Sequence, residues 1–165
     1  MKYTALTIEE HLTSQGVSFK RYNHAPLFTA EDVLSLKEAI PGQDTKNLFL
    51  TDSRGRFFLV VVPLAHRIDL KSLATMLSVK KLSFGSPEQM MTMLGVEPGS
   101  VTLLAAVNSN HRELTIVLDT EIASAEEIQC HPLTNDATLV IAKRDMLNLL
   151  SGLGYEVCII AVPCR

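Results

Sequence analysis

Two apolar runs joined by one short turn constrain this chain more than any other feature. Leu48-Phe49-Leu50 is followed by Asp52-Ser53-Arg54-Gly55 and then by Phe57-Phe58-Leu59-Val60-Val61-Val62. Apolar runs flanking a turn that contains Gly predict a β-hairpin, with Leu48-Phe49-Leu50 as a buried strand. Lys46 stands where that strand begins. A cation at a strand end is placed to hold an anionic group at the edge of a cavity. A solvated lysine is the commoner outcome, and the residues around Lys46 alone favour it.

Composition narrows the setting. A chain of 165 residues, 47% hydrophobic, is long enough to bury a good core as one domain spanning 1–165. The start, Met1-Lys2-Tyr3-Thr4-Ala5, has no apolar run of signal-peptide length, and no segment approaches a membrane span, so the expectation is a cytoplasmic protein with no membrane contact. A net charge of −3 argues against a protein that coats nucleic acid non-specifically. A local phosphate-binding patch is compatible with it. Lys80-Lys81 with Lys71, Arg54, Arg56 and Arg67 supply the residues for one, and scattered surface charges are an equal alternative. Three cysteines without a Cys-x-x-Cys pair point to reduced thiols.

Along the chain, Thr7-Ile8-Glu9-Glu10 has capping-box spacing and opens a first short helix that Gly16 ends. Residues 17–22 extend as a strand, and Thr29-Ala30-Glu31-Asp32 opens a second helix to about Ala39. Beyond the hairpin, Asp69 caps a helix through Leu77, Leu82-Ser83-Phe84 is a short strand, and Ser86-Pro87-Glu88-Gln89 starts another helix that ends at Gly95. Met90, Met91 and Met93 ride on that helix, with core filling favoured over an adaptable binding surface. Strands are expected at residues 113–118, 137–141 and 156–162, with a final helix at 143–150. Short strands interleaved with short helices, without regular βαβ alternation or repeat, predict a single compact α+β domain on a mixed, strongly curved sheet.

Most catalytic signatures are missing. Cys130 and His131 are adjacent, and neighbours on a strand point to opposite faces, so neither a metal site nor a Cys–His nucleophile is supported. No Gly-x-Gly-x-x-Gly or Gly-Lys-Ser/Thr loop is present. The turn at Gly99-Ser100 offers backbone N–H groups with little side chain in the way, although the residues alone favour an ordinary turn. His131 before Pro132 is biased to extended backbone. Its imidazole either donates to a substrate or is satisfied by backbone, and the residues alone favour the latter.

Taken together, Lys46-Asn47-Leu48-Phe49-Leu50, Leu82-Ser83-Phe84 before Ser86-Pro87-Glu88, Leu94-Gly95-Val96-Glu97-Pro98-Gly99-Ser100-Val101-Thr102, and His131-Pro132-Leu133 with Asn135, Ala137 and Thr138 resemble the YbaK and prolyl-tRNA-synthetase-associated editing family. Among its members they are most similar to the freestanding branch that deacylates alanine mischarged on proline tRNA. Leu103 replaces a proline of that branch, and Asn108-Ser109 an Asn-Asp. The resemblance runs from about His24 to Val162 and implies a compact α+β domain with a barrel-like sheet. It implies trans-editing by substrate-assisted hydrolysis of the ester on the terminal adenosine of tRNA, with no cofactor. Lys46 would hold the phosphate or ribose, and Asn47 would help to place the ribose. Gly99 and Ser100 would bring backbone N–H groups near the ester carbonyl, and His131 with Pro132 would form the opposite wall. The partners implied are mischarged tRNA and prolyl-tRNA synthetase. The alternatives are the same chemistry on cysteine, serine or threonine, or a non-catalytic tRNA- or synthetase-binding module.

Overall fold

The computed structural model describes residues 2–27, 31–32 and 39–165. The helix expected between Thr29 and Ala39 lies largely outside them. The hairpin forms as its turn residues require: β2 (Lys46–Asp52) runs antiparallel to β3 (Phe57–Val62), with Leu48 opposite Val60 and Leu50 opposite Phe58. Asp52 is buried at the bend. One of its oxygens accepts the amides of Arg54 (2.9 Å) and Arg56 (2.8 Å), and the other accepts Arg56 Nε at 2.6 Å. Burial opposes the carboxylate charge, but the Arg56 amide and guanidinium and the Arg54 amide outweigh it, and its pKa falls below the ordinary value.

β3 is the middle of a five-stranded mixed sheet. Its order is β4 (Leu82–Phe84), β2, β3, β5 (Leu114–Asp119), β8 (Cys158–Ile160), and the β3–β5 and β5–β8 pairs are parallel. A strand paired on both edges and covered on both faces needs apolar residues at every position, which is why β3 shows no alternation. Leu59 and Val61 join Phe49, Ile116 and Leu118 in one core, while Phe58, Val60 and Val62 join Leu50 and Val117 in a second. The other sheet is antiparallel, with β7 (Ala137–Ala142) between β1 (Phe19–Asn23) and β6 (Glu127–Cys130).

The α+β reading holds, but one curved, barrel-like sheet is not what forms. Among the described residues the strands make two sheets and close no barrel. Gln43 bridges to Ile128 at the edge of β6 for a single residue. Asp44 next accepts the Leu64 amide at 3.0 Å, and Thr45 Oγ1 still donates to Gln129 O of β6 at 2.7 Å before the chain enters β2.

Short helices cover the sheets: α1 (Ile8–Ser14), α2 (Leu70–Met76), α3 (Pro87–Leu94), α4 (Thr120–Ser124) and α5 (Lys143–Gly152). α3 starts on the expected capping box between Ser86 and Gln89 and ends at a left-handed Gly95. Its methionines divide, with Met93 buried and Met91 exposed. Residues Leu103–Asn108 form a 3₁₀ helix that the sequence did not announce. Tyr155 donates to its Ala106 carbonyl at 2.7 Å, and Asn108 ties it to Tyr3 and Leu94. Among the described residues no helix is long and apolar enough to cross a membrane.

Candidate functional site

Strand alternation in β2 sends Asn47 and Phe49 to one face and Lys46 and Leu48 to the other. All four border a cavity of about 370 Å³ that also takes Gly99 and His131 in its lining. The fold thus brings together Lys46, Asn47, Gly99 and His131 from distant parts of the sequence. Ser100 and Pro132 do not line it, and Pro132 is buried.

Lys46 sits at the rim, half-buried, and donates to the carbonyl of His66. An ammonium has three N–H donors, so two remain for a ligand. Burial lowers its pKa, Cys164 opposes that and Arg67 adds to it. Asn47 carries a stronger signal, because its Oδ1 is buried and has no hydrogen-bond partner among the described residues. A buried polar oxygen left unpaired costs about 1–3 kcal/mol, an imbalance that a bound donor would remove.

The turn 97–100 places Gly99 at φ +90°, a left-handed conformation that glycine adopts without a Cβ clash. Ser100 N donates to Glu97 O at 3.0 Å inside this turn. The Ser100 amide is therefore not available to an ester carbonyl, contrary to expectation. Gly99 and Val101 both line the cavity, and among the described residues neither amide donates a hydrogen bond. They are the backbone donors that a bound carbonyl oxygen would find.

His131 follows β6 and is half-buried, with Nδ1 3.4 Å from the Ala137 carbonyl. Burial pushes the imidazole below its ordinary 6.5, the Ala137 carbonyl works the other way, and His24 adds to the lowering. At neutral pH the ring is uncharged. A carbonyl only accepts, so the proton belongs on Nδ1 and Nε2 is an acceptor. The ring is satisfied by backbone, as the residues alone favour, and it lines the cavity with an acceptor rather than with a donor.

Other lining residues escaped the sequence reading. Asp44 brings a carboxylate to the cavity beside Lys46. Thr138, buried in the lining, shares a 2.8 Å hydrogen bond with Nε2 of His24, whose Nδ1 meets the Ala25 carbonyl at 2.8 Å. Cys130 also lines the cavity, but burial pushes its thiol up to about 12, which rules out a ready thiolate. Of the basic residues grouped by sequence, Arg67 and Lys71 border a second cavity that shares Lys46 with the first. Arg56 is paired with Asp52, and Arg54, Lys80 and Lys81 line neither cavity. Away from both linings, His66, Asp119 and Glu121 bring ligand atoms within 4.8 Å of one another. Both Asp119 oxygens already accept backbone amides, from Val162 (2.8 Å) and Glu121 (2.9 Å), so this grouping is explained as the cap of α4.

Comparison with known proteins fits this geometry. The family model of the aminoacyl-tRNA editing domain matches residues 24–149. A prolyl-tRNA synthetase associated domain-containing protein 1 from Danio rerio is 34% identical over 145 residues, covering 87% of this chain and 79% of the relative. The prolyl-tRNA editing protein ProX of Acetoanaerobium sticklandii is 29% identical over 139 residues, covering 84% and 85%. A crystal structure of a candidate trans-editing enzyme for prolyl tRNA synthetase superposes with a TM-score of 0.70 at 21% identity, over 96% of this chain and 97% of that one, a likeness of fold. With the family model spanning most of its length, this chain belongs to the aminoacyl-tRNA editing domain family.

Proposed function

We propose that the protein is an aminoacyl-tRNA deacylase that acts in trans on mischarged proline tRNA, with alanine as the amino acid removed. The observation that carries this reading is the single cavity where Lys46, the unpaired Asn47 oxygen, the unused Gly99 amide and neutral His131 meet. The family match and the prolyl-tRNA editing relative support it. Mischarged tRNA is the substrate partner, and prolyl-tRNA synthetase is the enzyme whose errors are corrected.

In this reading Lys46 holds a phosphate or ribose oxygen of the terminal adenosine and Asn47 accepts a ribose hydroxyl. Asp44 attracts the α-ammonium of the aminoacyl group. Water adds to the ester carbonyl, oriented by the neighbouring ribose hydroxyl, and the oxyanion lies against the amides of Gly99 and Val101. Collapse expels the ribose oxygen, which takes up a proton, and free amino acid leaves. Alignment of water and ester supplies up to about 7–11 kcal/mol, and each well-placed backbone donor roughly 3–4 kcal/mol. An ester needs no stronger nucleophile, in keeping with the raised thiol pKa of Cys130. Selectivity is steric: His131, backed by buried Pro132, limits side-chain size and excludes the proline ring.

The deciding experiment charges proline tRNA separately with alanine, cysteine, serine and proline and follows deacylation by wild type and Lys46→Ala. Loss of alanine alone, abolished by the substitution, is the expected result. Preferential loss of cysteine or serine would reassign the substrate. Hydrolysis of none, with tRNA still bound, would leave a binding module.

A further inference from the structure

The second cavity, about 510 Å³, is unused by the chemistry above. It adjoins the first cavity and shares Lys46, Leu48 and Phe84 with it. Its lining carries the side chains of Lys46, Arg67, Lys71 and Arg165 and one acidic side chain, Asp69, which feels the charge of Arg165. Asp69 already caps α2, accepting Ser72 N at 3.1 Å and Ser72 Oγ at 2.8 Å. None of the four cations makes a salt bridge among the described residues. Positive charge is concentrated here on a chain whose net charge is −3.

The arrangement is built by the backbone. Ile68 pairs with Cys164 in an antiparallel bridge, and Arg165 N donates to Arg67 O at 2.9 Å. This short ladder sets both arginines beside the groove. Phe84, at the end of edge strand β4 and opposite Leu50, stands at the lip between the two cavities with 62% of its surface exposed. A large aromatic left in water at the mouth of a basic groove is the combination that binds single-stranded nucleic acid. The ring stacks on a base while the cations follow the phosphates.

We propose that this groove, with Phe84 as a stacking platform and Arg67, Lys71 and Arg165 as phosphate contacts, binds the unpaired nucleotides that precede the aminoacylated adenosine. The identity of the RNA rests on the deacylase reading; the chemistry of the groove does not. Lys46 is the hinge between the two sites. The terminal adenosine enters one cavity, and the chain 5′ to it leaves through the other. Affinity for the RNA then resides outside the pocket that selects the amino acid.

The test uses two probes: an uncharged, fluorescently labelled RNA tetranucleotide ending in CCA, and alanyl-adenosine, which has no nucleotide to place in the groove. Phe84→Ala should weaken tetranucleotide binding by about 5- to 150-fold with the salt slope unchanged, the size of one lost base stack. Phe84→Tyr should restore it. Arg67→Gln with Lys71→Gln should flatten the slope of log K against log salt by about 1.4, roughly 0.7 for each phosphate released. Lys20→Gln, an exposed cation on β1 in the other sheet, serves as control. The Arg67→Gln, Lys71→Gln variant, whose residues border the second cavity alone, should raise KM for alanyl-tRNA while hydrolysing alanyl-adenosine at the wild-type rate. Absent tetranucleotide binding by wild type, or groove variants indistinguishable from Lys20→Gln, would overturn the proposal even if the ester is still cleaved. If wild type cleaves neither ester and tetranucleotide binding still depends on Phe84, the deacylase reading falls and the RNA groove stands.

Discussion

The two walls of the candidate cavity are held in different ways. Lys46, Asn47 and Phe49 belong to β2, which is hydrogen-bonded to β3 on one edge and, from Leu50 onward, to β4 on the other. Gly99 and His131 belong to loops: the first closes on Ser100 N to Glu97 O, and the second is held by His131 to Ala137 O, His24 N to Asp136 O and Leu27 N to Asn135 O. The strand wall cannot shift without disturbing the sheet and both cores. The loop wall lies outside the strand ladders and is held by turn and loop contacts instead. Substrate anchoring by the first and discrimination by the second would follow from that difference in support.

The sharpest way to break the contrast is Gly85→Ala. A Cβ there would lie 2.3 Å from Phe49 Cδ2, and the Phe49 ring is already stacked on Phe57 at 5.3 Å. We expect a loss of about 3 kcal/mol in denaturant titration from overpacking, with activity falling as the ring is driven into the cavity. Unchanged stability would mean that the strand wall is softer than its packing implies. Lys46→Ala tests the same wall without strain. It should raise KM for the aminoacyl-tRNA by roughly 10- to 150-fold, the value of a charge-assisted hydrogen bond, and leave the melting profile close to wild type.

The loop wall should respond more locally. Gly99→Ala forces a side chain into φ +90° and should cost about 1–2 kcal/mol, with a fall in kcat as the amides move. His131→Ala should cost fidelity before rate, read as hydrolysis of correctly charged proline tRNA; continued sparing of it would show that the wall lies elsewhere. His131 also sets a pH dependence. Its folded pKa is below 6.5, so the unfolded chain takes up the proton first as pH falls. Stability should decline as pH drops through 6.5 and level off below the folded pKa, and His131→Gln should flatten that stretch of the curve. The smallest effect is expected at Cys130. Cys130→Ala should barely alter the rate, and iodoacetamide at pH 8 should label exposed Cys164 while sparing Cys130 until the protein unfolds.

What the sequence disclosed follows the same division. The hairpin, the Ser86–Gln89 capping box and the strand carrying Lys46 are local patterns, and each forms where its residues placed it. The division into two sheets was not legible, because it is set by pairings between strands distant in sequence, such as β1 with β7 and β3 with β5. No role was legible for Thr138 or Phe84 for a similar reason: a partner distant in sequence, His24, or exposure set by the whole fold gives them their character. The resemblance of four separated motifs supplied what local pattern could not, by setting Lys46, Gly99 and His131 side by side.

The pairing of β1 with β7, Phe19 opposite Ile141, has a bearing on synthesis. β1 leaves the ribosome long before its partner exists and must wait with its backbone unpaired. Lys20 and Arg21 in that strand suit the wait, since charge on an open edge discourages association with other nascent chains. β6 and β7, which flank His131, are likewise among the last strands to be made. A chain halted before residue 131 carries the lysine without the histidine, so the cavity lining is completed only after β6 and β7 have been made.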